Sequence, residues 1–260
     1  MIFILKKFKI GYPTHPRKPI LPEIEWIGKN GFDFVDLFLE EDEGTPEKIN
    51  IKEVKKLLEK YKLDAVGHTA WYLPIGSPVK RLRKAAIEEL REYFKVFNKL
   101  EVNLVTVHAN WPSGIFTQEE GIKFQVETLK KVIEIAKNYE ITIIYEPTPM
   151  YHDSIENTEK ILSLVPELYL HFDIGHANLW GRKPDKFFKK FYRKIKHIHL
   201  HDNDGMRDLH LPMGCGVIEW RVLLPLIKRH YSGTITLEIF VEDKDFVLLV
   251  KEKLTKFLFA

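Results

Sequence analysis

The chain contains one cysteine, Cys215, in 260 residues. That excludes an intrachain disulfide framework and fits a reducing compartment, so the expected location is the cytoplasm. Long hydrophobic runs are missing too. None reaches the ~18–20 residues a membrane-spanning helix requires, and no membrane partner is expected. The opening segment, Met1-Ile-Phe-Ile-Leu-Lys-Lys, puts its charges after a very short apolar stretch, the wrong order for a secretory leader. Glycine and proline number only 14 each, too few for collagen-like or low-complexity architecture. Charge of one sign is also scarce: 40 Lys and Arg stand against 37 Asp and Glu, a net of +3. Such balance gives no argument for nucleic acid. Neither a GxGxxG turn after the first strand nor a Walker sequence occurs, so a nucleotide fold lacks support. What remains is 45 % hydrophobic and 30 % charged, the composition of a folded globular enzyme or binding protein. Its wealth of Lys and Glu has a thermophile flavour.

No sequence repeat is present, but a structural alternation is. Short β-branched or aromatic runs recur at Phe8–Tyr12, Phe32–Phe38, Leu63–His68, Asn103–His108, Ile141–Glu146, Leu168–Asp173, Ile195–His201 and Thr234–Ile239. Between them lie segments of helical periodicity. Asn50-x-x-Glu53 and Thr117-x-x-Glu120 read as capping boxes, and Ser77-Pro78 reads as an N-cap before a first-turn proline. Ile87, Leu90, Phe94, Phe97 and Leu100 follow helical spacing, as do Val126, Leu129, Val132, Ile133 and Ile135-Ala136, and Phe246 to Phe259 closes the chain. Eight strands alternating with about eight helices in ~250 residues predict a (β/α)8 TIM barrel. A doubly wound open sheet is the competitor. With no Ser/Gly-rich linker, residues 1–260 read as one domain.

Chemistry-bearing residues fall at the ends of successive predicted strands: His68, His108, Glu146, Asp173 with His176 three residues on, His199 between His197 and His201, and Glu238. Asp208 and His210 follow the seventh strand. In such barrels the C-terminal rim gathers groups from several strands, so six strands aim a histidine or carboxylate at one cleft. Mixed imidazole and carboxylate donors suit Zn²⁺, Mn²⁺ or Co²⁺, and so many buried ionisable groups without a cation would be costly. Glu146, Asp173, His199 and Glu238 form the primary metal set. His68, His108, His176, Asp208 and His210 are either further ligands or substrate contacts.

Other features have blander readings. His197 is expected to be a hydrogen-bonded interior histidine, and His201 to support the ligands from behind. His171, His152 and His230 have no comparable context, whereas His15 follows the first strand and is placed against substrate. Trp71-Tyr72-Leu73 reads as the wall of a small pocket. The cluster Lys189, Lys190, Arg193, Lys194 and Lys196 precedes the seventh strand, away from the active rim, and reads as a solvated face. Lys80, Arg81, Arg83 and Lys84 open a helix beside the rim and are candidates for holding a phosphate. Trp111 and Trp180, read as exposed rim residues, either cap the cleft or sit in a homo-oligomer contact.

Taken together, His68-Thr-Ala-Trp-Tyr, Val107-His108, Glu146-Pro, Phe172-Asp173-Ile-Gly-His176, His199-Leu-His-Asp202-Asn, Asp208-Leu-His210-Leu-Pro-Met-Gly and Leu237-Glu238 resemble the xylose-isomerase-like barrel superfamily. Two branches are implied. The sugar and sugar-phosphate isomerases and epimerases hold one divalent metal with residues matching Glu146, Asp173, His199 and Glu238. There Glu146 and Glu238 would also move a proton at the carbon beside a carbonyl, and His176 would hold a substrate hydroxyl. The other branch, endonuclease IV, cleaves DNA at abasic sites with three zinc ions. Its pattern would put His68 and His108 on one metal and Asp173, His199 and Glu238 on a second. Glu146 would bridge those two, and His176, Asp208 and His210 would hold the third.

Departures set the order. The nuclease carries an asparagine shortly after its first ligand histidine, where this chain reads Tyr72-Leu-Pro74-Ile, and another two residues after His199, where His201 stands. Its DNA-facing basic residue gives way to Glu40-Glu41-Asp42-Glu43, which would repel a polyanion. Cys215 replaces the glutamate usual in both branches, and a structural role is expected for it. The expectation is thus a metal-dependent isomerase or epimerase with one to three Zn, Mn or Co ions, acting on a small sugar or sugar phosphate with Trp71, His15 and His176 on the substrate. The alternative is an endonuclease IV-like hydrolase, with DNA as partner in that case alone. A barrel that only binds ligand would leave the six-strand convergence unexplained.

Overall fold

Eight parallel strands pair in chain order and close on themselves. They are β1 (Phe8–Pro13), β2 (Phe34–Leu39), β3 (Asp64–Thr69), β4 (Leu104–His108), β5 (Thr142–Glu146), β6 (Tyr169–Asp173), β7 (Ile195–Leu200) and β8 (Gly233–Leu237). The connecting helices are α1 (Ile20–Lys29), α2 (Ile51–Tyr61), α3 (Lys80–Lys99), α4 (Gln118–Lys137), α5 (Ile155–Leu164), α6 (Pro184–Phe191), α7 (Trp220–His230) and α8 (Asp245–Phe259). This is the (β/α)8 barrel and not the open sheet. The computed structural model describes residues 7–259, so the reading of the first six residues lies outside them. Among the described residues no helix is long and apolar enough to cross a membrane.

Helix periodicity is realised as packing. Ile87, Leu90, Phe94, Phe97 and Leu100 are buried along α3 and its C-cap, and Val126, Leu129, Val132, Ile133 and Ala136 along α4, while Ile135 is half-buried. Thr117 and Glu120 form the reciprocal capping box at α4. At α2 only half of the expected box is present: Asn50 accepts from the Glu53 amide. The Ser77-Pro78 expectation is corrected. The Ser77 hydroxyl accepts from the Val79 amide, which turns the chain, and α3 begins after an uncapped Val79.

Alternation along the strands gives the barrel interior distinct layers. Phe34, Val66 and Ile144 form a small apolar plug apart from the main core. Gly11 makes room for it, since a Cβ there would lie 2.4 Å from the Phe34 ring. Two residues further along, the interior turns polar, with Asp36, Thr106, His171, His197 and Thr236 all 0 % exposed. Branched apolar side chains usually fill this layer. Register then places Asp173 beside His199, Thr236 beside His199, and His108 beside Glu146. The top layer of the barrel is therefore a bed of donors.

Candidate active site

Above that bed opens a cavity of about 400 Å³, within the range of small-ligand sites. His15, His68, Trp71, His108, Glu146, His176, Asp208, His210 and Glu238 all line it. Asp173 and His199 lie just beneath, at 3 % and 0 % exposure. The metal-ligand candidates, with Trp71 and His15, are thus brought to one place, whereas Tyr72, Leu73 and the basic residues that open α3 do not line it. Strand ends deliver His68, His108, Glu146 and Asp173, while Glu238 stands one residue past β8, where the chain leaves the sheet.

The donors fall into three neighbouring groups. In the first, Glu146 Oε2 lies 2.8 Å from His108 Nε2 and 3.4 Å from His68 Nε2. In the second, His199 Nδ1 lies 3.0 Å from Glu238 Oε2 and 3.7 Å from Asp173 Oδ2. In the third, Asp208 Oδ2 is 3.2 Å from both His176 Nε2 and His210 Nε2. His201 supports the second group, as expected, with Nε2 3.0 Å from Asp173 Oδ1. Gly175 allows this, because a Cβ there would lie 1.9 Å from the His201 ring. Gly175→Ala should therefore push His201 off Asp173 and lower stability by about 1–3 kcal/mol. Thermal melting checks this, and an unchanged melting curve would show that the ring moves freely.

Opposed charges set the electrostatics. Burial alone would raise Glu146 and Glu238. Instead His171 and His108 hold Glu146 well below the usual carboxylate range, and His199 and His210 do the same for Glu238. Burial lowers His68, but Glu146 and Glu40 outweigh it and raise the ring to about 9. His176, likewise buried, is raised to about 10 by Asp173 and Asp208.

This donor set fits a divalent cation. His199 Nδ1 and Glu238 Oε2 are buried and close together, yet among the described residues neither makes a hydrogen bond. Glu146 Oε2 and both ring nitrogens of His68 likewise make no hydrogen bond among the described residues, although ionic groups lie near them. Asp173, His199 and Glu238 offer donor atoms within 4.8 Å of one another. Unsatisfied buried nitrogens and carboxylate oxygens at such spacing are what a cation satisfies.

Several functional positions were not visible beforehand. His171, read as lacking context, is 0 % exposed, with Nδ1 3.1 Å from Glu146 Oε2 and 3.0 Å from Thr106 Oγ1. Asp36 lies under His199, and Arg17 lines the cavity mouth. For His171 and Asp36 a signal existed: His171 stands two residues before Asp173, and Asp36 two before the inward Phe38. Glu40 is corrected from rim charge to cavity wall. It is 6 % exposed, 3.7 Å from His68 Nδ1, while Asp42 and Glu43 both pair with Lys48.

Other expectations resolve as follows. Trp71 is 61 % exposed yet walls the cavity, and the hydroxyl of Tyr72 accepts from the Glu41 amide. Trp111 is not an exposed rim residue: it is half-buried and donates to Asp153. Trp180 is 56 % exposed and its indole donates to the Pro149 carbonyl. Lys189 and Lys190 pair with Asp185 and Glu159 on the outer surface, as a solvated face does. Lys80, Arg81, Arg83 and Lys84 do not line the cavity. Arg83 is buried and is held by Glu127 and the Ser77 carbonyl. Cys215 is exposed and fills no core.

Comparison with known proteins agrees with this fold. Fructoselysine 3-epimerase of Escherichia coli O157:H7 is 23 % identical, covering 86 % of this chain and 87 % of its own. The crystal structure of a D-tagatose 3-epimerase-like protein superposes with a TM-score of 0.84 at 28 % identity, over 96 % of this chain and 97 % of that one. IolI protein, crystallised with a zinc atom, shares the fold at 15 % identity and a TM-score of 0.80, over 96 % and 98 %. A family model described as xylose isomerase-like TIM barrel matches residues 24–256. The chain belongs to the xylose isomerase-like TIM-barrel family.

Proposed function

We propose that this protein is a divalent-metal-dependent isomerase or epimerase of sugars or sugar phosphates, moving a proton at the carbon beside a carbonyl. One observation carries the reading. Glu146, Asp173, His199 and Glu238 stand at the ends of four consecutive strands, β5 to β8, so a carboxylate flanks each end of one arc beneath the cavity. A substrate above the arc has one carboxylate on either flank, the arrangement needed to remove a proton from one face and return it to the other. A divalent cation held by these four residues would polarise the substrate carbonyl and stabilise the charge left by deprotonation. In this reading His176, Trp71 and His15, which line the cavity, would meet the substrate, His176 at a hydroxyl and the other two as walls around the sugar. The epimerases among the matched proteins support the substrate class, and the zinc in the IolI crystal supports a metal of the Zn, Mn or Co type.

The test is solvent exchange. Protein loaded with Zn²⁺, Mn²⁺ or Co²⁺ is incubated in D2O with ketohexoses and their phosphates. Deuterium at the carbon beside the carbonyl, together with a second epimer or an aldose, is expected. No exchange with any of them would sink the reading.

Among the described residues Arg17 is the one lysine or arginine lining the cavity, and it is exposed. It is the group here for a phosphate, in place of the α3 residues. Arg17→Ala should weaken a sugar phosphate about 10- to 100-fold, the value of a charge-assisted hydrogen bond, and leave the plain sugar unchanged. Equal effects on both would exclude phosphate recognition by Arg17.

The second reading, an endonuclease IV-like hydrolase, has one feature in its favour: Asp208 Oδ2 lies 3.2 Å from both His176 Nε2 and His210 Nε2, the three residues that the nuclease pattern would put on a third metal. About three zinc ions per chain, with cleavage of abasic duplex that is lost in His108→Ala and Asp208→Ala, would put it first.

A further inference from the structure

The polar layer beneath the site contains a carboxylate with no role in the proton transfer. Asp36, on β2, reaches across the barrel axis to β7 and β8 and is 0 % exposed. Its Oδ2 accepts from His199 Nε2 at 2.7 Å, from Thr236 Oγ1 at 2.7 Å and lies 3.1 Å from His197 Nε2. We propose that Asp36 is a positioning residue: it fixes which ring nitrogen of His199 faces the cavity, and so sets how tightly the site holds a divalent cation. This inference rests on the reading of that site as a cation site.

The argument is one of proton placement. A neutral imidazole carries one proton, and the hydrogen bond at one nitrogen decides which nitrogen keeps a lone pair. With Nε2–H given to Asp36, the lone pair of His199 is on Nδ1. That atom points toward Glu238 Oε2 and Asp173 Oδ2, 3.0 and 3.7 Å away, and among the described residues it makes no hydrogen bond of its own. A carboxylate behind a ligand histidine also makes the ring a stronger donor. The rings around His199 leave it little freedom, since His171 packs edge-on with centroids 3.9 Å apart. Packing alone would not call for Asp36: a buried carboxylate is costly where a valine or leucine would fill the layer.

Metal dissociation constants, measured by chelator competition on the full chain, test this together with the melting temperature of the metal-free protein. Wild type should bind Zn²⁺, and Asp36→Asn should bind it about 10- to 100-fold more weakly. Thr236→Val, which removes a neutral donor and leaves the Asp36–His199 bond, should change affinity far less. Equal losses in the two variants would mean general loosening of the layer and overturn the proposal, as would an Asp36→Asn protein with wild-type affinity. A wild type that binds no divalent cation would overturn the cation site itself, and this inference with it. Should Asp36→Asn not fold, the wild type still decides. Loaded with ¹¹³Cd and ¹⁵N-histidine, His199 should couple to the metal through Nδ1 and keep its proton on Nε2. Coupling through Nε2 would overturn the assignment.

Discussion

Glu238→Gln should turn over its sugar about 10²- to 10⁴-fold more slowly than wild type at saturating metal, the range for loss of a general acid or base. Glutamine keeps the shape and an oxygen, but it cannot carry the proton. Glu238 lines the cavity at 6 % exposure, with Oε2 3.0 Å from His199 Nδ1 and 3.4 Å from His210 Nδ1. Saturating metal matters, because the same carboxylate is a proposed ligand and a loss of affinity would otherwise pass for a loss of catalysis. Deuterium exchange separates the two carboxylates further. If Glu146 takes the proton from a given substrate, Glu238→Gln still washes deuterium into that substrate while forming no epimer. Glu146→Gln then loses both activities, and starting from the other epimer reverses the pattern. Near-normal epimer formation in Glu238→Gln would remove Glu238 from the mechanism.

The site was legible in the sequence to the depth of its top layer. His68, His108, Glu146, Asp173 and Glu238 could be placed because a barrel brings its strand ends to one rim whatever the details of packing. Asp36 and His171 were not, because they stand inside strands, where an apolar interior is the ordinary expectation. Only the period-two register with Phe38 and Asp173 exposes them. Arg17 belongs to a loop, whose direction no periodicity encodes. The helices show the same division: the Thr117–Glu120 box depends on local residues alone and formed as read. The start of α3 did not follow its local signal, because Ser77 spends its hydroxyl on the turn and its carbonyl on Arg83.

Chelation should remove activity entirely and lower thermal stability, with both restored by a divalent cation. Any ion bound only by the folded state stabilises it by mass action, about 4 kcal/mol when present at a thousand times its dissociation constant. In a chain of this size that is a melting shift on the order of 10 °C. The cation-free site is not empty of charge, however. His68 is raised to about 9 and His176 to about 10 by the carboxylates around them, and His199 also lies well above its ordinary value, chiefly through Glu238 and Asp36 working against burial. Raised values mean that His68, at about 9, and His176, at about 10, hold their protons at neutral pH, and that His199 keeps its proton to a higher pH than an ordinary histidine. A cation must displace the protons of the histidines it uses, so uptake releases protons and apparent affinity rises with pH. Each proton released makes affinity about tenfold tighter per pH unit. Calorimetry in buffers of different ionisation enthalpy counts them. About one proton per chain fits a single ion on His199, and release of several, with several ions bound, fits occupation of the His68 and His176 groups as well. Activity that survives chelation would show that the histidines and carboxylates work without a metal, and affinity that does not change between pH 6 and 9 would show that the ligand histidines carry no proton for a cation to displace.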